Sequence, residues 1–158
     1  MKKWQKILVI VLVGGLLVSG AMMFLNRRKY NSDVVYYHSG NSNGYSQMRS
    51  YVELTVRDGK ALVRYPESSD MFSETVIEKE VSLQIVSEMN DLLKKYRIYR
   101  WDGYQKSNPY VMDGSSWNLN IRLANGQTIT ASGYMMYPDN YREFINEQAA
   151  LFAKYLKE

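Results

Sequence analysis

Residues 117–134 read WNLNIRLANGQTITASGY, and apolar and polar side chains alternate along both halves of the stretch. Period-two alternation sends successive side chains to opposite faces of a strand, so the pattern predicts two half-buried strands joined by a turn. The turn signal is Asn125-Gly126. A two-residue loop there would set Thr128 and Thr130 on the face of Leu119 and Ile121 and mix the faces. A three-residue loop, Ala124-Asn125-Gly126, with Gly126 left-handed in a bulge, separates them again. Ile121 then faces Ile129, Leu119 faces Ala131 and Trp117 faces Gly133. On the other side Asn118, Asn120 and Arg122 face Ser132, Thr130 and Thr128.

The stretch 51–65, YVELTVRDGKALVRY, follows the same logic with a different turn. Asp58-Gly59 is a two-residue hairpin signal. It sets Arg57 opposite Lys60, so Val52, Leu54 and Val56 share a face with Tyr65, Val63 and Ala61. On the opposite face Glu53 meets Arg64, a favourable cross-strand charge pair. Val52, Leu54, Leu119 and Ile121 are expected in the core, and Glu53, Asn118 and Asn120 mostly in solvent.

Weaker signals surround the hairpins. A short strand is expected at 34–37, followed by a polar Gly/Ser/Asn loop as far as Gly44, and an extended segment at 71–81. Ile85, Val86, Met89, Leu92, Leu93 and Tyr96 recur at helical spacing, with Ser82 as N-cap. A second helix follows Pro138. Asn140 and Glu143 suit a capping box, and Tyr141, Phe144, Ile145, Phe152 and Tyr155 form its apolar stripe. The order predicts an α+β fold: one antiparallel sheet, made of two hairpins plus an N-terminal strand, with two helices packed on one face.

Residues 7–25 contain no charged residue, and Lys2, Lys3, Lys6, Arg27, Arg28 and Lys29 flank them. At about 1.5 Å per residue, a helix of this length crosses a hydrocarbon core of about 30 Å. A cleaved signal peptide would end near Ser19-Gly20-Ala21. However, Met22, Met23, Phe24 and Leu25 carry the apolar run past that point, and the basic cluster follows. The reading is a retained anchor. Residues 1–29 would be a cytoplasmic tail and transmembrane signal-anchor, and residues 30–158 an extracytoplasmic domain held at the cell membrane as a single-pass protein. Three basic residues on each side leave the orientation to the α-amino group and to the export tendency of a first apolar segment. Leu17-Val18-Ser19-Gly20 looks like the approach to a bacterial lipoprotein cleavage site. The next residue is Ala21 where lipid attachment needs Cys, and the chain has no Cys.

Six of the 20 Lys and Arg residues flank the apolar run, which leaves 14 against all 16 Asp and Glu in 30–158, a formal charge of −2. The net charge of +4 therefore belongs to the anchor. A nucleic-acid binder needs a basic domain, so no nucleic-acid partner is expected. Without Cys there is no disulfide, no thiolate nucleophile and no Cys-ligated zinc. The single histidine, His38, reads as an exposed residue at a strand end. No Ser-x-x-Lys pattern and no phosphate-binding glycine loop is present. Asp113-Gly114-Ser115-Ser116 is too short and too poor in carboxylates for a calcium loop. No metal and no cofactor is implied.

One cluster is unusual. It comprises Trp101-Asp102-Gly103-Tyr104, Val111-Met112-Asp113-Gly114, Trp117, and Gly133-Tyr134 followed by Tyr137-Pro138. Asp102 and Asp113 are weak candidates for paired catalytic carboxylates. Both precede Gly, and Asp-Gly is first of all a turn signature. The aromatics suit either a stacking surface or the end of a small core.

These motifs, with Leu119-x-Ile121 and Asn140-Tyr141-x-x-Phe144, resemble a pattern in small uncharacterised proteins of Gram-positive, largely anaerobic bacteria. Many of those look like lipoproteins or membrane-anchored proteins. The resemblance covers about 36–144. That pattern often places Gly at the end of the first helix, where this chain has Arg97, and its lipoprotein members carry Cys where this chain has Ala21. The resemblance implies no activity and no catalytic residue. The expected function is an extracytoplasmic binding domain for an envelope protein or cell-wall polymer, contacted through Trp101, Tyr104, Trp117, Tyr134 and Tyr137. A cell-wall hydrolase using Asp102 and Asp113 is the alternative. A structural accessory protein of the membrane is a third.

Overall fold

The computed structural model describes residues 30–43, 48–67 and 75–157. The expected membrane segment at 7–25 lies outside the described residues, as does the 71–74 part of the expected extended segment. Among the described residues no helix is long and apolar enough to cross a membrane.

The chain forms β1 (Val34–Asn43), β2 (Met48–Arg57), β3 (Lys60–Pro66), β4 (Val76–Val81), α1 (Gln84–Lys95), a 3₁₀ turn (Ile98–Trp101), β5 (Tyr104–Ser107), β6 (Ser115–Leu123), β7 (Thr128–Tyr134) and α2 (Tyr141–Leu156). One sheet runs β4-β3-β2-β1-β6-β7-β5. The architecture is α+β, with a mixed seven-stranded sheet and two helices.

Both hairpins adopt the register that their alternation dictates. Glu53 pairs with Arg64, Leu54 with Val63 and Arg57 with Lys60. Trp117 pairs with Gly133, Leu119 with Ala131 and Ile121 with Ile129. Gly126 is left-handed at φ 83°, closing the bulged three-residue loop. The apolar face of these four strands supplies Leu54, Ala61, Val63, Trp117, Leu119, Ile121, Ile129 and Ala131 to the core. Val52 is half-buried, short of the full burial expected.

The sheet corrects the sequence reading in three places. β1 does not stop at Tyr37. It continues through His38-Ser39-Gly40-Asn41-Ser42-Asn43, paired on one side with β2 and on the other with β6. Two neighbouring ladders override the poor strand propensity of Gly, Ser and Asn. β5 joins β7 in parallel, so the sheet is mixed and not purely antiparallel. Glu53 is not in open solvent. Its side chain is 18% exposed beneath Tyr36, His38 and Arg64.

The helices cover the apolar face. Asn90 Oδ1 accepts the Val34 N–H at 3.0 Å, and its Nδ2 donates to Asp33 at 2.8 Å, tying α1 to the start of β1. Phe152 of α2 packs against Tyr37, whose ring is fully buried. That burial holds the Tyr37 phenol far above its ordinary pKa. The helix ends differ in detail from expectation. Ser82 Oγ accepts the Gln84 N–H at 3.3 Å, although the cap position falls on Leu83. Asn140 is left-handed at φ 60° and makes no side-chain cap, so the capping box with Glu143 does not form.

The helices run antiparallel and hold each other at both ends. Lys154 and Tyr155 of α2 bond Glu88 of α1, at 2.7 and 3.0 Å. Lys95 and Tyr96 at the end of α1 bond Glu147 of α2, at 2.6 and 2.7 Å. The two contacts use one sequence pattern, Glu-x6-Lys-Tyr, at 88–96 and again at 147–155.

Candidate functional site

Six aromatic rings converge where α2 meets the 3₁₀ turn and the end of the β6–β7 hairpin. Trp117 of β6 is 4.7 Å from Tyr141, 5.8 Å from Tyr104 and 6.4 Å from Tyr137, measured between centroids. Trp101 meets Trp117 edge-on at 6.2 Å and Phe144 at 5.3 Å. Such tilted and edge-to-face pairs suit the ring quadrupoles. Trp117 is seated by a hydrogen bond from its indole N–H to the Met136 carbonyl at 2.8 Å. The indole lies over Gly133, where a Cβ would stand 2.5 Å from its Nε1 and closer still to the Met136 carbonyl. Gly133 is required for space.

Burial divides these rings into a base and a surface. Trp101 and Trp117 are 4% and 3% exposed, so they cannot be the contact surface expected of them; they support it from below. Tyr137 is 45% exposed and Tyr104 is partly exposed above them. Burial, followed by the nearby Asp139, raises the Tyr104 phenol pKa. Burial, followed by Tyr137, raises that of Tyr141 well above the ordinary value. These rings stay neutral across the physiological range.

Tyr134 is not part of the cluster. Its hydroxyl donates to the Met112 carbonyl and accepts the Gly114 N–H, both at 2.7 Å, which fastens the loop before β6.

The two aspartates are held at different places along β7. Asp102 occupies a tight turn with Gly103 at φ 77°, and its Oδ1 accepts the Thr130 N–H at 3.0 Å. Gly103 N–H donates to the Thr130 carbonyl, so the Asp-Gly turn latches onto β7. Asp113 is exposed in the loop fastened at Tyr134. Thr130 and Tyr134 are four residues apart on β7, about 13 Å along a strand. Paired glycosidase carboxylates stand about 5–10 Å apart. The geometry gives the hydrolase reading no support.

Tyr104 and Tyr137 line an open groove of about 600 Å³ together with Arg97, Arg100, Lys106 and Asp139. Arg97 caps the end of α1 in the left-handed region at φ 53°. Arg100 lies in the 3₁₀ turn, and Lys106 shares a side of β5 with Tyr104, its ammonium 5.3 Å from that ring. Among the described residues none of these three cations forms an ion pair, whereas Lys95 at the groove margin is held by Glu147. Sequence reasoning missed the cations, because three different elements bring them together. The alternation of Tyr104, Gln105 and Lys106 was the available signal.

His38 is likewise not at a strand end. It lies mid-strand, its Nδ1 3.2 Å from Glu53 and its ring stacked on Tyr51 at 5.8 Å. Gly40-Asn41-Ser42-Asn43-Gly44 also matches the Gly-x-Ser-x-Gly pattern of a nucleophile elbow, which requires a strand-to-helix turn. Ser42 instead lies on β1 and bonds Ser116 Oγ at 2.6 Å. Among the described residues no three His, Asp or Glu side chains group to hold a metal.

No protein-family model matches this chain, and no curated protein was found to match it.

Proposed function

We propose that the chain is a membrane-anchored extracytoplasmic binding domain, and that its ligand is an anionic polymer of the cell wall rather than an envelope protein. One observation carries the reading: two accessible tyrosine rings share a groove with three cations that form no ion pair among the described residues, against the single carboxylate of Asp139. The domain beyond the anchor is net negative, so this concentration of positive charge runs against its overall balance. A groove with cations and neutral rings attracts acidic groups and stacks on the repeating units between them. The apolar run at 7–25 supports attachment to the bilayer, and the resemblance to small envelope proteins points the same way.

The test uses the full chain in membranes. Spheroplasts treated with protease should lose the domain and retain a small membrane fragment. The purified chain in vesicles should sediment with isolated cell walls, and salt should release it. Replacing Arg100 and Lys106 by Glu should abolish this sedimentation while the melting temperature changes little. Undiminished sedimentation of that variant would overturn the reading.

A further inference from the structure

The helices cover one face of the sheet, and the opposite face carries a second polar site. Cross-strand register arranges its side chains in two rows. One runs Arg64, Glu53, His38, Asn120, Thr130; the next runs Gly40, Asn118, Ser132, Gln105. Neighbouring strands are about 4.8 Å apart and the two rows about 7 Å apart. Tyr36, His38, Gln105, Asn118, Asn120 and Ser132 line a shallow concavity of about 440 Å³ over these rows.

Three observations point to a ligand. Asn is depleted in strands, yet two occupy the middle of β6. Both are exposed, and among the described residues neither amide side chain makes a hydrogen bond. Second, the row's one carboxylate is already matched. Glu53 accepts bonds from Tyr36 and His38 and lies 3.5 Å from Arg64. Apart from Glu53 and His38, the lining side chains are uncharged. Third, the imidazole is oriented. Its Nδ1 lies 3.2 Å from the Glu53 carboxylate, which leaves Nε2 as the ring nitrogen without a protein partner among the described residues. A Cβ at Gly40 would stand 3.1 Å from Nε2 and 3.2 Å from Asn118 Oδ1, so glycine is what lets these groups close over the strand.

We propose that this face binds a neutral saccharide. A sugar ring offers uncharged hydroxyls that each donate and accept. The amides of Asn118, Asn120 and Gln105 and the second nitrogen of His38 match that chemistry, and the half-buried Tyr36 borders them, with Arg122 5.6 Å from its ring. The site is separate from the cationic groove. Gln105 serves this face while its neighbours Tyr104 and Lys106 serve the other.

The full chain, purified in a zwitterionic detergent without a sugar headgroup, would be titrated with chitobiose, cellobiose and, as an acidic control, digalacturonate. The side-chain amide NMR signals of Asn118, Asn120 and Gln105 report the contact. The expected result is a saturable shift of these signals with at least one neutral disaccharide. Asn120→Val, which suits a strand, should weaken the response at least about fivefold with unchanged melting. Gly40→Ala keeps every polar group but occupies the space between them, and should weaken it likewise. No shift with either neutral sugar, a shift with digalacturonate alone, or variants that bind as wild type would each overturn the proposal.

Discussion

Glu88 of α1 and Lys154 of α2 form an ion pair at 2.7 Å, and Lys95 and Glu147 repeat it at the other end of the same two helices. The partners are reciprocal, since each helix gives a Glu near its start and a Lys-Tyr at its end. A one-turn slip of either helix would break both contacts. The pairs are exposed, so solvent screens them and each adds little to stability. Their role is to fix direction and register over an apolar contact that would tolerate others.

The titration of these pairs gives a pH prediction. Lys154 and Tyr155 hold the Glu88 carboxyl below its ordinary pKa, and Lys95 and Tyr96 do the same for Glu147. A lowered carboxyl stabilises the fold above its ordinary pKa, and that contribution is lost as pH falls through the folded value. The lysines are raised, so their share is complete below the ordinary lysine pKa and lost as pH rises through the folded one. Melting temperature should be flat between these limits and fall on the acid side. Replacing both Glu88 and Glu147 by Gln should flatten the acid fall, measured by calorimetry against pH. An unchanged acid limb would remove these pairs from the account.

Gly133→Ala should destabilise by about 1–3 kcal/mol, the range for overpacking a filled site. The added methyl would meet the Trp117 indole and the Met136 carbonyl together. Tryptophan fluorescence and chemical denaturation would read the effect. A variant as stable as wild type would mean that the indole has room to move.

Arg97→Gly should stabilise by about 0.5–1 kcal/mol, because the left-handed backbone at φ 53° costs Arg more than Gly. The same change removes a groove cation, so stability should rise while cell-wall sedimentation falls. A fall in both would show that the Arg97 side chain supports the fold.

Asp102→Ala should cost about 1–2 kcal/mol through the lost bond to Thr130. Asp113→Ala should stay within about 0.5 kcal/mol. Neither should alter cell-wall capture. Equal effects of the two variants on denaturation would contradict the latch at Thr130.

The hairpins were legible because alternation and turn chemistry act within a few residues, and only one register kept each apolar face intact. The second half of β1 was not, because Gly40, Asn41, Ser42 and Asn43 are strand residues only by virtue of β2 and β6 beside them. β5 was hidden for a similar reason. Four residues pair in parallel with a strand about 27 positions on, and no local pattern announces that. Residue type pointed to an aromatic cluster, and Trp101, Tyr104, Trp117 and Tyr137 do pack together while Tyr134 does not join them. Which ring lies beneath which depended on the α2 crossing, so Trp101 and Trp117 were assigned to a surface that they support. Asn118 and Asn120 were legible as solvent-facing, and both are exposed opposite the core.

Among the described residues the sheet ends at β4 on one side and β5 on the other, and each outer strand has one flank with no ladder partner. An unpaired flank is a template for another chain. β4 answers this with Glu78, Lys79 and Glu80 in succession, the first paired to Arg64, the last to Lys60, and the lysine bonded to the Leu156 carbonyl. β5 answers it by brevity, with four residues and a lysine among them. Copies crowded side by side therefore find these edges hard to extend into fibrils, and so does an extended peptide.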